Sequence, residues 1–431
     1  MRALALVDGE HYPDVVVDTL EALRYEVVGA VLLGGTEKLR GGVPDYGVPL
    51  WNKLADALVE VDVDVVIDLS DEPVVGPRRR FRLASRALAS GIPYVGADFR
   101  LDPVRFAPYD QPALAVIGTG KRVGKTAVAG HVARLLSRSR EVVVVAMGRG
   151  GPAEPTVVRA SPTLADLLAL SRSGVHAASD YLEDAALAGV PTVGARRCGG
   201  GLAGEPFVSN VEEAARLAAE LESDLVLLEA SGATLPPVEA GARIMVAGAH
   251  QDPETVTGHL GAYRLFLSDL VVLTMCEEPL ATPQRVDELR LAIAAVDKDL
   301  PVIATVLRPR PVEPVTGRRI AFFSTAPESI HDRLREHLER EHGAEVVFVS
   351  GSLASRNVLL AELDSPAVAK ADVYLTEIKA AAIDVVAEIA ETRGIAVVFA
   401  DNEVLPLPGE RELDGAVEAI ADMVVAAKAP A

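Results

Sequence analysis

The 431 residues carry 42 basic and 62 acidic side chains, a net charge of −20. That balance excludes a general nucleic-acid or acidic-membrane binder, so any anionic ligand needs a local basic pocket. With 49% hydrophobic and 24% charged residues the profile is globular, without long disordered tracts, and the length predicts two or three domains. Cys198 and Cys276 are too few for a disulfide scaffold, and no CxxC or HxxxH spacing marks a structural zinc. The opening MRALALVDGEHYPD meets Asp8 and Glu10 too soon for a signal-peptide core, and no later apolar run is long enough to span a bilayer. A cytoplasmic protein with neither a membrane nor a nucleic-acid partner is expected.

From the N-terminus onward one pattern repeats: a short Val, Ile and Leu run, a turn, and a longer amphipathic segment. Such runs read as buried strands of a parallel sheet covered by helices. Strands are expected at 2–7, 27–33, 63–69, 113–118, 142–147, 225–229, 244–247, 270–274, 302–306, 320–323, 346–349 and 396–399. Two proline-rich stretches interrupt the rhythm and are expected as linkers: 102–112, with Pro103, Pro108 and Pro112, and 308–316, reading RPRPVEPVT. They divide the chain into units at 1–110, 111–315 and 316–431.

Beyond the first strand, LVDGEHYPDV sets Asp8, Gly9, Glu10 and His11 at the carboxyl edge, where open parallel sheets bind ligands. LLGGTEKL adds Gly34, Gly35, Thr36 and Lys38 after the second strand, and DLSDEP adds Asp68, Ser70, Asp71 and Glu72 after the third. GPRRRFRLASR then brings Arg78, Arg79, Arg80, Arg82 and Arg86, either a second anion site or arginines solvated around a helix.

The strand ALAVIG runs into GTGKRVGKT, which is Gly118, Thr119, Gly120, Lys121, Arg122, Val123, Gly124, Lys125 and Thr126, and then into the helical AVAGHVARLLSRS. Strand, glycine loop and helix in this order cradle phosphate. Gly120 and Gly124 turn backbone N–H groups toward phosphate oxygens, Lys125 reaches the β- and γ-phosphates, and Thr126 ligates magnesium, so ATP with Mg²⁺ is the expected ligand. The strict GxxxxGK[ST] spacing is not met, because Thr119 stands where its first glycine belongs and Gly118 lies one residue earlier. This longer form resembles the loop of dethiobiotin synthetase-like P-loop proteins, a family that couples ATP to ring closure through a phosphorylated intermediate. The expected fold class is α/β: a central P-loop domain with a parallel sheet, flanked by N-terminal and C-terminal Rossmann-like α/β units.

Further on, VAMGRGGPAEP places Arg149 between glycines at a strand's carboxyl edge, and DLVLLEASGATLPP ends a buried strand with Glu229, a carboxylate suited to Mg²⁺. Asp224 reads as a cap or surface residue. HAASDYLEDAALAGVPTVGARRCGGGLAG joins a polar helix start to paired arginines and three glycines. Arg196 and Arg197 either clamp a phosphate that Gly199, Gly200 and Gly201 approach with backbone amides, or are solvated beside a flexible connection. His176, Asp180 and Asp184 share a helix face, His176 reading as a cap or packing residue, and Cys198 reads as a small buried packing residue. In the last unit Ser355, Arg356, Glu377, Lys379 and Asn402 follow apolar strands, where they complete a cleft or serve structure or dimerisation.

Taken in order, DGEHY, GGTEKL, GTGKRVGKT, MGRGGP, HAASDYLEDA and RRCGGG resemble the cyclic 2,3-diphosphoglycerate synthetase family across nearly the whole length. The resemblance implies closure of 2,3-bisphosphoglycerate into a cyclic pyrophosphate with release of ADP and phosphate, together with Mg²⁺, potassium and a cytoplasmic homodimer. On that basis Lys125, Lys121 and Arg122 stabilise the transferring phosphoryl group, and Thr126 and Glu229 hold the metal. Arg149, Arg196 and Arg197 hold the substrate, a small phosphorylated acid, with Asp8, Glu10, His11, Asp180, Gly199 and Gly200 around it. Two other readings stay open at this point. One is a dethiobiotin synthetase-like ligase or kinase on another phosphorylated or carboxylic acid. The other is a nucleotide switch or metal-delivery NTPase, whose signature lysine lies five residues before the loop lysine, where this chain has Gly120.

Overall fold

A computed structural model of the chain describes residues 1–35, 37–39 and 42–428; Thr36, named above, lies outside them. The first unit is a six-stranded sheet of β1 (Arg2–Val7), β2 (Glu26–Leu32), β3 (Leu50–Trp51), β4 (Val65–Asp68), β5 (Tyr94–Val95) and β6 (Arg100–Leu101). Their order is β3-β2-β1-β4-β5-β6, with only β6 antiparallel. Strand side chains alternate between faces, so Leu4 and Leu6 enter one apolar cluster and Ala5 and Val7 another. The Leu4 cluster continues into the core unit through Met245 and Leu273, so the two units share apolar packing.

The second sheet begins with β7 (Ala113–Gly118), β8 (Val142–Gly148), β9 (Thr156–Val158), β10 (Thr192–Cys198), β11 (Val208–Ser209), β12 (Leu225–Glu229), β13 (Ala242–Gly248) and β14 (Leu270–Thr274). It goes on through β15 (Val302–Pro311), β16 (Arg319–Phe323), β17 (Glu345–Ser350), β18 (Val373–Thr376) and β19 (Ala396–Pro406). The thirteen strands run β11-β10-β8-β12-β7-β13-β14-β15-β19-β18-β16-β17, with β9 beside β10. From β10 to the start of β15 every pair along that path is parallel. The carboxyl ends of β7, β8, β10 and β12 therefore lie on one edge. Along β16, Ile320 and Phe322 pack on one face and Ala321 and Phe323 on the other, so this part of the sheet is covered on both sides as well.

Two expectations about boundaries change. Residues 308–316, expected as a linker, begin inside β15, which pairs antiparallel with β19 from Thr305 opposite Pro406 to Pro311 opposite Ala400. Val312 N donates to Phe399 O, so even-numbered residues face β19. Pro309 and Pro311 fall on the alternate positions, where no ladder N–H is required. The unit expected at 316–431 also gives its last helix, Leu413–Lys428, to the core: Leu413, Val417, Ala421 and Val424 pack with Val116, Val132 and Ile244. Residues 102–112 run without a regular element, touching the core through a bridge from Ala107 to Val238. No helix among the described residues is long and apolar enough to cross a membrane.

Candidate active site

The loop after β7 turns sharply into the helix Lys125–Leu136 because Arg122 (φ +58°) and Gly124 (φ +82°) both adopt the left-handed conformation. Such a conformation is unfavourable for arginine and is the kind of backbone strain that persists at functional sites. Gly118 is required where it stands: a Cβ there would lie 2.6 Å from Lys125 Cδ, so the lysine side chain passes over the strand end. Lys125 is buried, and its Nζ donates to Gly120 O at 2.6 Å. Burial pushes its ammonium down to about 8, against the pull of Glu229 and Asp180. Thr119 Oγ1 donates to Gln251 Oε1 at 2.6 Å, and the same oxygen accepts Gly248 N at 3.0 Å, tying the loop to the end of β13. Val123 O accepts the Thr274 hydroxyl at 2.8 Å. Lys121 and Arg122 are exposed, and Arg122 joins Lys125 and Thr126 on the wall of a cavity of about 950 Å³.

Behind the loop lies a nest of carboxylates. Glu229 ends β12 fully inside the protein, against Asp184 of the helix Asp180–Ala188 and facing the Thr126 hydroxyl. Burial raises both carboxyls above their usual range, and the charge of Glu229 raises Asp184 further. Glu229 Oε2 and Asp184 Oδ2 are buried with no donor among the described residues. Asp180 opens the same helix, its Oδ2 3.3 Å from the position of a Cβ on Gly148. Its carboxyl is raised by burial, opposed by the charges of Lys379, Lys125, His176 and Arg149.

Arg149 and Arg197 meet over Gly232, in the loop that follows β12. A Cβ on Gly232 would lie 2.7 Å from Arg149 Nη2 and 2.9 Å from Arg197 Nη2. Arg197 is buried and donates to Gly199 O and Ser231 O, each at 2.8 Å, while its Nε finds no acceptor. Burial and the neighbouring Arg149 charge lower its pKa. Arg196 does not join this pair: successive side chains of β10 alternate between faces, and Arg196 is exposed while Arg197 is buried. Cys198, expected to be buried, is exposed like Arg196. His176, Gly199 and Gly200 are exposed, and Asp224 Oδ2 accepts Glu141 N at 2.8 Å, a surface tie.

Asp8, Glu10 and His11 are brought together, but not at the phosphate loop. Asp8 is buried, accepting Glu10 N at 3.0 Å and Asp71 N at 2.7 Å and facing His11 Nδ1 at 2.8 Å. Asp8, His11, Asp68, Asp71 and Asp98 line a second cavity of about 540 Å³, which shares no wall residue with the first. Of the two arginines on its wall, Arg24 and Arg80, the latter is already held by Asp68 at 2.7 Å.

Models for the N-terminal, P-loop and C-terminal domains of cyclic 2,3-diphosphoglycerate synthetase match residues 2–102, 113–306 and 311–403. The cyclic 2,3-diphosphoglycerate synthetase of Rubrobacter xylanophilus is 54% identical over 435 residues, covering 97% of this chain and 96% of the relative. This chain belongs to the cyclic 2,3-diphosphoglycerate synthetase family. Relatives bearing the same name are 44% identical in Thermococcus gammatolerans, over 94% of each chain, and 41% identical in Methanothermus fervidus, over 93% of this chain and 92% of the relative.

Several residues that the structure brings to this cluster carry little signal in the sequence. Glu183 and Asp184 stand three and four residues after Asp180, a spacing that shares a helix face, and only Asp184 was noted there. Burial pushes Glu183 up to about 8, the Lys379 charge opposing. Gly232 and Gln251 left no signal beyond a glycine after a strand and one polar residue within a polar turn.

Proposed function

We propose that the chain closes 2,3-bisphosphoglycerate into its cyclic phosphoanhydride at the expense of ATP, releasing ADP and inorganic phosphate. One observation carries the reading: Lys125 of the phosphate loop and the guanidinium pair Arg149–Arg197 occupy the same sheet edge, on adjoining strand ends around Glu229. Cations for two separate phosphate groups thus stand side by side. The family match supports the same activity.

Ring closure has to bring two phosphate groups of one small molecule together. Two unit charges about 4 Å apart repel by about 4 kcal/mol at the effective dielectric near a protein surface, and paired guanidinium groups offset that repulsion. In the proposed sequence the γ-phosphoryl group passes to an oxygen of one substrate phosphate and ADP departs. The second substrate phosphate then attacks the substrate-borne phosphorus of this new anhydride, forming the ring P–O bond and expelling inorganic phosphate. Lys125 and the loop N–H groups stabilise charge on the moving phosphoryl group, and Arg149 and Arg197 hold the acceptor phosphates in line. The nucleophiles are phosphate oxygens already anionic near neutral pH, so no general base is required.

The donor set of the Thr126 hydroxyl, Glu229 and Asp184 is all oxygen and includes two unpartnered buried atoms, which suits Mg²⁺. Among the described residues no three His, Cys, Asp or Glu side chains gather to hold a metal. When bound, Mg²⁺ supplies neutralising charge to the triphosphate. Potassium, a homodimer and a cytoplasmic setting belong to the same proposal through the family; exchanging potassium for sodium in the assay and measuring mass in solution test the first two. The deciding experiment incubates the protein with ATP, Mg²⁺, potassium and 2,3-bisphosphoglycerate and follows ADP release and the phosphorus NMR spectrum. A pyrophosphate-type signal growing in step with ADP is expected, and ATP consumption without it overturns the substrate assignment.

A further inference from the structure

The loop after β18 reaches from the C-terminal unit to the phosphate loop. Lys379 lines the cavity of about 950 Å³ together with Arg122, Lys125 and Thr126. Its Nζ lies 3.5 Å from Glu183 Oε1, on the helix that also carries Asp180 and Asp184. The neighbouring Glu377 has its own donors, Thr325 N at 3.0 Å, Thr325 Oγ1 at 3.1 Å and Asn402 Nδ2 at 3.2 Å, and so needs no bond from the lysine.

The lysine is also held firmly. Ile378 is fully buried and packs with Ile383, Leu167 and Leu182, the last two from the helices beside the site. Ala380 has φ +47°, left-handed for a residue with a Cβ, and Ala382–Ala387 is wound as a π-helix. Both conformations are unfavourable on their own and recur where a side chain must be presented. A lysine needed only as a partner for Glu183 does not require a strained loop or a place on the wall of the nucleotide cavity, yet Lys379 has both.

We propose that Lys379 is a second catalytic lysine, contacting the γ-phosphoryl group of ATP from the C-terminal unit while Lys125 contacts it from the phosphate loop, with Glu183 as the residue that positions Lys379. A transferring phosphoryl group spreads charge over three equatorial oxygens, and a loop on one side leaves the opposite oxygen without a cation. The C-terminal unit, joined to the core sheet through β15 and β19, supplies it. The inference rests on the reading of this cavity as the ATP site.

The test compares the wild-type protein with Lys379→Met, Lys379→Arg and the double variant Lys379→Met with Glu183→Gln. It reads kcat for ADP release, thermal stability, and calorimetric affinity for ADP and for a non-hydrolysable ATP analogue. Lys379→Met should lower kcat about 10²- to 10³-fold, the range for removing one preorganised donor from a transition state. It should weaken the analogue about tenfold and leave ADP within twofold, because only the γ-phosphate loses a contact. The double variant should regain stability without regaining kcat, and Lys379→Arg should retain part of it. Equal weakening of ADP and analogue, or kcat restored in the double variant, overturns the proposal. If the wild-type protein turns ATP over without cyclising 2,3-bisphosphoglycerate while Lys379→Met still loses the analogue selectively, the substrate assignment falls and the lysine's role stands.

Discussion

Replacing Gly232 with alanine tests the meeting of the two arginines directly. At φ +63° the alanine costs about 1–2 kcal/mol of backbone strain. Its Cβ would lie 2.7 Å from Arg149 Nη2 and 2.9 Å from Arg197 Nη2, so to reach an ordinary 3.4 Å contact the two tips must retreat by about 0.7 Å and about 0.5 Å. Arg149 is exposed and can swing away, whereas Arg197 is tethered to Gly199 O and Ser231 O and can move only with its loop. A misplacement near 1 Å in a positioning group lowers rate by about 10²-fold, so kcat/KM for the bisphosphate should fall to roughly a hundredth while ATP affinity stays within twofold. Steady-state ADP release with 2,3-bisphosphoglycerate varied at saturating ATP reads this out. Gly394→Ala is the control: its φ of +67° imposes the same strain, and nothing lies within 4 Å of the added methyl. The control should lose stability and keep its kinetics. A Gly232→Ala protein as active as Gly394→Ala would refute the claim that the two guanidinium groups hold substrate together.

Strand alternation separates the paired arginines: Arg197→Ala should lower kcat/KM about a hundredfold and Arg196→Ala should stay within threefold, measured in the same assay. Comparable losses from both would mean that Arg196 also reaches the substrate. Stability should depend on pH through Glu183, whose carboxyl moves from 4.5 up to about 8 on folding. Burial raises this carboxyl while the Lys379 charge opposes the rise, so the folded chain holds the proton more tightly than the unfolded chain, and the stability this group contributes is present below about pH 4.5 and lost as pH rises through about 8. Glu183→Gln should flatten the melting-temperature profile across that window, and an unchanged profile would place the titration elsewhere. Asp8→Ala removes a buried carboxylate from three partners, Glu10 N, Asp71 N and His11 Nδ1, and should destabilise the N-terminal unit by about 2–4 kcal/mol in urea unfolding, with kcat/KM within twofold. A large loss of activity at wild-type stability would return Asp8 to the substrate site.

The phosphate loop was legible because its chemistry is local: a buried strand, glycines where backbone must turn, Lys125 and Thr126 at a helix start, all within one short stretch. Glu229 was legible for the same reason, an acid ending an apolar run, and so were most strands, whose continuous Val, Ile and Leu content reflects burial on both faces. The family resemblance likewise rested on motifs each contained in a few residues.

What tertiary structure alone decided was which of these edges meet. Asp8, Glu10 and His11 do follow a strand, yet Asp8 and His11 line a separate cavity, because the first unit docks on the core through the apolar face of Leu4 and Leu6. RPRP reads as a linker until β19 supplies a partner whose register spares both prolines a hydrogen bond. Lys379 and Glu183 are far apart in the chain, and their contact depends on Ile378 packing against Leu167 and Leu182. Sequence by itself determined the groups able to bind phosphate, since that capacity resides in local backbone and side-chain chemistry. Which cations surround one phosphoryl group was decided by packing between units, because only the docking of distant apolar faces fixes those separations.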